Sequence, residues 1–247
     1  MRIFIPPESI TRQQSFKVPR DKARYLTSVL RSQKGDKLDI IDGKGRAYEA
    51  EISDIVRNDV FVKIIGESVM HTESSAHLVL CQGILKGEKM DMVIQKATEL
   101  GVKEIIPLIT ERCLVRETRK VKRWGKIAEE AAEQCGRAVI PDIHGPADIV
   151  SLLQGRELKG LIFWEEGGLQ LAEAIRKADP AGPIHIIIGP EGGLAAEEVR
   201  MAEECGLVRA TLGKRILRAE TAALVSVALV QYLIEDAGGC LSRFEIR

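Results

Sequence analysis

Two apolar runs constrain this chain more than anything else in it: Leu161-Ile162-Phe163-Trp164, and Ile184 to Ile188, interrupted only by His185. A strand with no polar face must be covered on both sides, as in a parallel sheet packed between layers of helix. The flanking residues keep that rhythm. His77 to Gln82 reads as a strand, Lys89 to Leu100 as a helix closed by Gly101, and Ile105-Ile106 as a short strand ending before Pro107. Trp124 to Cys135, Leu169 to Ala178 and Ala195 to Cys205 read as helices. The last helix, Glu220 to Asp236, is apolar nearly all round, so it needs burial on several sides, in its own domain or against a second subunit. The fold class is α/β.

The N-terminal part follows a different pattern. Arg2 to Ile5 is a strand closed by Pro6-Pro7, and Asp21 to Arg31 has helical spacing with Tyr25, Leu26, Val29 and Leu30 on one side. Lys37 to Asp42 and Ala47 to Val56 make a hairpin around Gly43-Lys44-Gly45, and Val60 to Ile65 follows a second turn. Short strands at this spacing suggest a small β-barrel or sandwich. Met70 to Ser75 is polar and patternless, a linker between a domain at 1–70 and one at 75–247.

Lysine plus arginine and aspartate plus glutamate number 36 each, so any nucleic-acid affinity must come from local clustering of basic groups. Five scattered cysteines without a CxxC pair argue against a disulfide framework and a zinc site, and the four histidines lack metal-ligand spacing. No metal is expected. The first ten residues have no signal-peptide pattern, and the longest apolar stretch, Thr221 to Ile234, falls short of the roughly 20 residues a membrane span needs. The expected location is the cytoplasm, with no membrane partner.

Two segments carry chemistry. Ile186-Ile187-Ile188-Gly189-Pro190-Glu191-Gly192-Gly193-Leu194 places a glycine-rich turn at the carboxyl end of a buried strand, where open α/β sheets bind ligands. It matches neither the dinucleotide nor the P-loop fingerprint. Read alone it is equally a tight corner, with Glu197 and Glu198 opening the next helix. Thr211-Leu212-Gly213-Lys214-Arg215-Ile216-Leu217-Arg218-Ala219-Glu220-Thr221-Ala222 mixes a glycine, basic residues and aliphatics ahead of the last helix. Alone it is equally a loop whose aliphatics plug the core.

Together these two segments resemble the paired signature of the SPOUT methyltransferases, in particular the 16S ribosomal RNA (uracil-N3) methyltransferase family. Gly87 to Asp91, Ile94 to Val102, Glu111-Arg112-Cys113 and Glu133 to Arg137 are similar to further segments of that family, so the likeness covers nearly the whole chain. It implies an N-terminal PUA-like barrel that binds RNA, a C-terminal SPOUT domain with a deep trefoil knot, and a homodimer. It also implies S-adenosylmethionine as cofactor and 16S rRNA, within the small ribosomal subunit, as partner. The cofactor is then expected on three loops: Phe163, Trp164 and Glu165; Ile188, Gly189, Pro190, Glu191, Gly192 and Gly193; and Leu212, Gly213, Ile216, Leu217, Arg218 and Thr221.

Uracil N3 carries a proton and must lose it to attack a methyl group, leaving negative charge on the uracil oxygens. Arg218 is the expected catalytic cation. Glu191 is either an orienting group or proton acceptor, or simply an acid favoured at a helix N-terminus. The residues 112–126 hold seven basic side chains against one acid, Glu117, which suits phosphate neutralisation as well as it suits a solvated face. The expected RNA contacts are Arg112, Arg116, Arg119, Lys120, Lys122, Arg123 and Arg137, extended by Lys86, Lys89 and Lys96, with Arg2, Arg12, Arg20 and Arg24 in the N-terminal domain. Trp124 is expected in the core. Two other readings stay open: ribose 2′-O methylation on the same fold, and a non-catalytic ribosome-assembly factor.

Overall fold

The computed structural model describes every residue except Gln13, Val69, His71, Glu117, Pro180, Ala181 and 238–247. His71 of the expected linker, Glu117 of the basic run and Cys240 therefore lie outside the described residues. The chain forms two compact units, Met1–Glu73 with Glu129–Ile140, and Ser74–Ala128 with Pro141–Arg247. Residues 129–140 thus pack with the first unit, which no contiguous division at the linker anticipates.

The first unit contains β1 (Arg2–Phe4), β2 (Phe16–Lys17), α1 (Arg20–Arg24), β3 (Lys37–Ile41), β4 (Ala47–Val56) and β5 (Asp59–Ser68). The strands form one sheet in the order β1-β3-β4-β5-β2, with β1 parallel to β3 and the other pairs antiparallel. Alternate residues Leu38, Ile40, Ala50, Ile52, Val60 and Val62 point into its core, as the period of two in a strand requires. After α1 the helix widens into a π-helical turn, Tyr25–Val29. The extra residue per turn breaks the 3.6-residue spacing. Ala23 and Leu26 therefore face the core, whereas Tyr25, Val29 and Leu30, expected beside Leu26, are exposed.

Buried charge fixes the last part of this unit. Lys22 is enclosed between Glu129, at 3.0 Å, and Glu133. Arg137 is 3 % exposed, and its guanidinium donates to Glu73 at 2.8 Å. This corrects the expectation that Arg137 contacts RNA: its charge is already neutralised inside the fold.

The second unit carries β6 (His77–Gly83), α2 (Lys89–Glu99), β7 (Glu104–Ile109), α3 (Val121–Cys135, which ends in the first unit), β8 (Asp142–Ile143), β9 (Ala147–Asp148) and α4 (Ile149–Leu153). It continues through β10 (Gly160–Phe163), β11 (Leu169–Gln170), α5 (Leu171–Ala178), β12 (Pro183–Ile188), α6 (Ala196–Glu204), β13 (Val208–Thr211) and α7 (Ala219–Ala237). All pairs in its sheet are parallel, in the order β11-β13-β10-β12-β6-β7-β8, with β9 also on β7. Ile162, Ile186 and Ile187 are fully buried, as strands covered on both faces must be.

β7 runs through Pro107 instead of stopping before it. Glu104 and Ile105 pair with β8, Leu108 and Ile109 with β9, and Pro107 falls in the gap between them, where that edge needs no backbone donor. Trp124 is buried, and its indole N–H donates to Asp91 at 3.0 Å. α7 buries Ala223, Ser226, Val227 and Val230, but Leu229 and Tyr232 remain exposed.

Removing one partner of a buried ion pair strands the other. Arg137→Ala should therefore lower unfolding free energy by about 3 kcal/mol in urea denaturation. A loss below roughly 0.5 kcal/mol, the ordinary range for surface substitutions, would show the pair to be incidental.

Candidate active site

Strand order determines where the cavity forms. β13, β10 and β12 are adjacent and parallel, so the loops following them leave the same edge of the sheet. Those loops enclose a cavity of about 490 Å³. Its walls include Phe163, Trp164 and Glu165 after β10, residues 188–194 after β12, and residues 210–220 after β13. Lys89 and Ala222 complete it. Of the expected cofactor residues, Thr221 alone does not line the cavity. It sits exposed on the first turn of α7, turned away while Glu220 and Ala222 face in. Ile216 lines the wall yet is 85 % exposed.

Close backbone approach shapes the turn after β12. A Cβ on Gly83, at the end of β6, would lie 2.5 Å from the Pro190 nitrogen, so only glycine lets these two strand ends meet. Gln82, fully buried beside it, donates through Nε2 to the carbonyls of Gly83 (2.9 Å) and Gly189 (3.2 Å). Gly193, at φ +72°, closes the turn with its N–H on the Pro190 carbonyl at 2.9 Å. A Cβ there would strike Glu165 Oε1 at 2.5 Å. Glu198 is buried and accepts from the N–H groups of Ala195 and Glu111, both at 2.8 Å. It thereby ties the loop after β7 to the start of α6.

That tie places the basic run beside the cavity. Arg112 lies against Gly192 and donates to its carbonyl at 3.3 Å, and Lys120 Nζ donates to Gly87 at 3.2 Å. Arg116, Arg119 and Lys122 are exposed, and Arg123 is paired with Asp91 at 2.8 Å. Lys86 is exposed, and Lys96 pairs with Glu99 at 2.8 Å. In the first unit Arg20 and Arg24 are exposed, Arg2 is half-buried, and Arg12 pairs with Glu67 at 2.9 Å while lying 5.2 Å from the Tyr48 ring centre.

Three charged groups cluster on one flank of the cavity. Glu191 accepts from the Lys86 N–H at 3.1 Å and from Lys89 Nζ at 3.3 Å. Partial burial pushes its carboxyl up, but the Lys86 N–H, its own N–H and Lys89 outweigh that and hold it below the ordinary 4.5. Glu191 is therefore firmly ionised. Lys89 also faces Glu220, at 3.9 Å. Glu220 is 8 % exposed, and its Oε2 has no hydrogen-bond partner among the described residues. The Trp164 indole N–H is likewise buried and has no hydrogen-bond partner among the described residues, with Arg209 5.6 Å from its ring centre. Arg218 is exposed at the start of α7, with no ion pair recorded among the described residues.

Lys89 was expected on RNA, yet it is a wall of the cavity, and Glu220 was not singled out at all. Both lie in motifs that the resemblance covers, but a single lysine or glutamate in a helix reads as ordinary solvated charge. Gln82 gave a faint signal, as a polar residue ending an apolar strand. Among the described residues no cluster of histidine, cysteine, aspartate or glutamate fits a metal ion, and no helix is long and apolar enough to cross a membrane.

Residues 72–231 match the RNA methyltransferase domain family and 18–65 the RNA methyltransferase PUA domain. The ribosomal RNA small subunit methyltransferase E of Buchnera aphidicola subsp. Acyrthosiphon pisum is 33 % identical over 95 % of this chain and 94 % of its own length. The chain belongs to the ribosomal RNA small subunit methyltransferase E family. Its architecture is accordingly an N-terminal PUA-like domain followed by a SPOUT-type α/β methyltransferase domain. The Neisseria gonorrhoeae member, solved bound to S-adenosyl methionine, superposes with a TM-score of 0.86 at 35 % identity, covering 94 % of this chain and 97 % of that one. A Legionella pneumophila methyltransferase, solved with its cofactor SAM, gives 0.84 at 33 % identity over 94 % and 96 %.

A carboxylate whose value is lowered by folding stabilises the native state in its ionised form. That contribution is complete above pH 4.5 and is lost as pH falls through the lowered folded value. Glu191→Gln should therefore lower the melting temperature at neutral pH, and the gap from the unmodified protein should close in acid. A gap that stays constant down to pH 3 would remove the Glu191 contacts from the stability of this loop.

Proposed function

We propose that this chain transfers the methyl group of S-adenosylmethionine to N3 of a uridine in the 16S RNA of the small ribosomal subunit. The observation that carries the reading is the three-loop cavity at the carboxyl edge of β10, β12 and β13, in a chain aligned along nearly its full length with a donor-bound relative. The cavity's chemistry fits that donor. Its size lies in the range of small-molecule sites, about 300–1,000 Å³. Phe163, Ile188, Leu212 and Leu217 offer apolar wall to a purine, and the 189–193 backbone offers hydrogen-bonding groups. The indole N–H of Trp164, without a hydrogen-bond partner among the described residues, is open to a polar group of the donor. When bound, the donor supplies a methyl group on a positively charged sulfur.

The chain's part is to position, to hold charge and to exclude water. Gly189 to Gly193 are pinned by Gln82, so this wall is preformed, and alignment of nucleophile and methyl group accounts for much of the rate. Arg218 faces the negative charge that develops on the uracil oxygens. Arg112, Arg116, Arg119, Lys120 and Lys122 neutralise RNA phosphates beside the cavity, with Arg20 and Arg24 of the PUA-like domain as a second contact. The chain acts as a homodimer in the cytoplasm, with the exposed Leu229 and Tyr232 of α7 at the subunit interface. The loops after β10, β12 and β13 form the knotted part of the fold.

Calorimetry with S-adenosylmethionine should show one site per chain. Mass mapping of 16S RNA from a deletion strain should show a single uridine losing one methyl group. An unchanged map would overturn the assignment. Arg218→Ala should lower turnover on the order of 100-fold while donor affinity stays within about threefold, and unaltered turnover would remove Arg218 from the chemistry. RNA affinity should fall steeply with salt, and Arg119→Ala with Lys122→Ala should flatten that slope. A slope unchanged by both substitutions would place the phosphate contacts elsewhere.

A further inference from the structure

Two carboxylates flank one ammonium group at the cavity, and they are not equivalent. Glu191 is satisfied: a backbone N–H and Lys89 Nζ occupy the same oxygen, and the group is held ionised. A carboxylate so stabilised is a weak proton acceptor. Glu220 is enclosed within the fold and lines the cavity from the first turn of α7; its Oε2 has Lys89 Nζ at 3.9 Å and no hydrogen bond among the described residues. A buried carboxylate oxygen left without a hydrogen bond has the stronger demand for a donor.

We propose that Glu220, not Glu191, is the proton acceptor of the methyl transfer. The inference rests on the reading of the cavity as a methyl-donor site for RNA. The proton on the target nitrogen passes to the Glu220 carboxylate. The nitrogen lone pair so freed forms the N–CH₃ bond as the C–S bond breaks, with its electron pair going to sulfur, so the positive charge on sulfur is discharged. Lys89 Nζ lies 3.9 Å from Oε2, beyond hydrogen-bond distance, so that oxygen is open to receive the proton. The other charged groups lining this space are Glu165, Lys214, Arg215 and Arg218, besides Glu191. Their basic members favour the negative charge that develops on the uracil.

The test compares the full-length protein with Glu220→Gln, Glu220→Asp and Glu191→Gln. Donor affinity is measured by calorimetry with S-adenosylmethionine, and the single-turnover rate on small ribosomal subunits is measured against pH. Glu220→Gln should keep donor affinity within about threefold and lose at least about 100-fold in rate, the usual contribution of a positioned acid or base. Its residual rate should rise tenfold per pH unit, as hydroxide takes over the deprotonation. Glu220→Asp should recover part of the rate, with the pH profile of the unmodified protein. Glu191→Gln should weaken donor binding without altering that profile.

A Glu220→Gln rate within threefold of the unmodified protein would overturn the proposal. So would a loss of donor affinity matching the loss of rate, or a pH profile altered by Glu191→Gln and untouched by Glu220→Gln. An unmodified protein that binds the donor but leaves the subunit unmethylated would instead overturn the functional reading, and the proposal with it.

Discussion

The cavity depends on how closely two neighbouring parallel strands leave the sheet. β6 and β12 are hydrogen-bonded side by side, and their loops diverge from the same edge. Gly83 ends the first, Pro190 begins the turn after the second, and there is no room between them for a single methyl group. Gln82 fills the remaining polar demand by donating to a carbonyl on each side, while its own oxygen goes without a partner among the described residues. An unsatisfied buried acceptor costs about 1–3 kcal/mol. That cost is offset by a turn whose backbone is fixed before any ligand arrives, which reduces what binding must spend on ordering a loop.

The same edge concentrates charge with few options for relief. Lys89 is the cation nearest both Glu191 and Glu220, and it satisfies the first better than the second. The asymmetry follows from backbone placement: Glu191 sits on a turn that also receives the Lys86 N–H, whereas Glu220 is carried on a helix packed into the domain. Two groups of the same type thus acquire different hydrogen-bonding environments, one carboxylate satisfied and the other with an oxygen that lacks a hydrogen bond among the described residues. Arg112 adds a third constraint, because its donation to Gly192 links the basic run directly to the turn.

The amino-acid pattern revealed much of this architecture, and its gaps have physical causes. The parallel sheet was readable because strands buried on both faces leave apolar runs such as Ile186 to Ile188. α7 was readable from its length. The π-helical turn at Tyr25 was not, because an extra residue per turn leaves no mark on composition, and of Tyr25, Leu26, Val29 and Leu30, which regular helical spacing puts on one side, only Leu26 is buried. The continuation of β7 through Pro107 was hidden because a proline's missing donor matters only where a neighbour needs it. At the site, backbone-rich segments were legible through their glycines. Lys89 and Glu220 were illegible in those roles because helical charges look alike until the fold shows which are buried. Arg137 illustrates the reverse: as an arginine of the Glu133-to-Arg137 segment it reads as an RNA contact, and burial shows it matched to Glu73.

That reversal explains how a chain with equal numbers of acids and bases can still present a basic surface. Its acids are disproportionately occupied inside. Glu73 neutralises Arg137, Glu129 and Glu133 enclose Lys22, and Glu198 caps two backbone N–H groups. Glu104 is held between His77 and His144 at 2.7 and 2.9 Å. Burial pushes its carboxyl up, but the two imidazole hydrogen bonds outweigh that and keep it ionised. The basic residues around 112–122 are instead mostly exposed, next to the cavity. A polyanion approaching at physiological ionic strength senses charge within a screening length of about 8 Å, not the sum over the chain. The neutral total therefore sets solubility and long-range behaviour, whereas the local excess beside Gly192 determines where a nucleic acid is attracted.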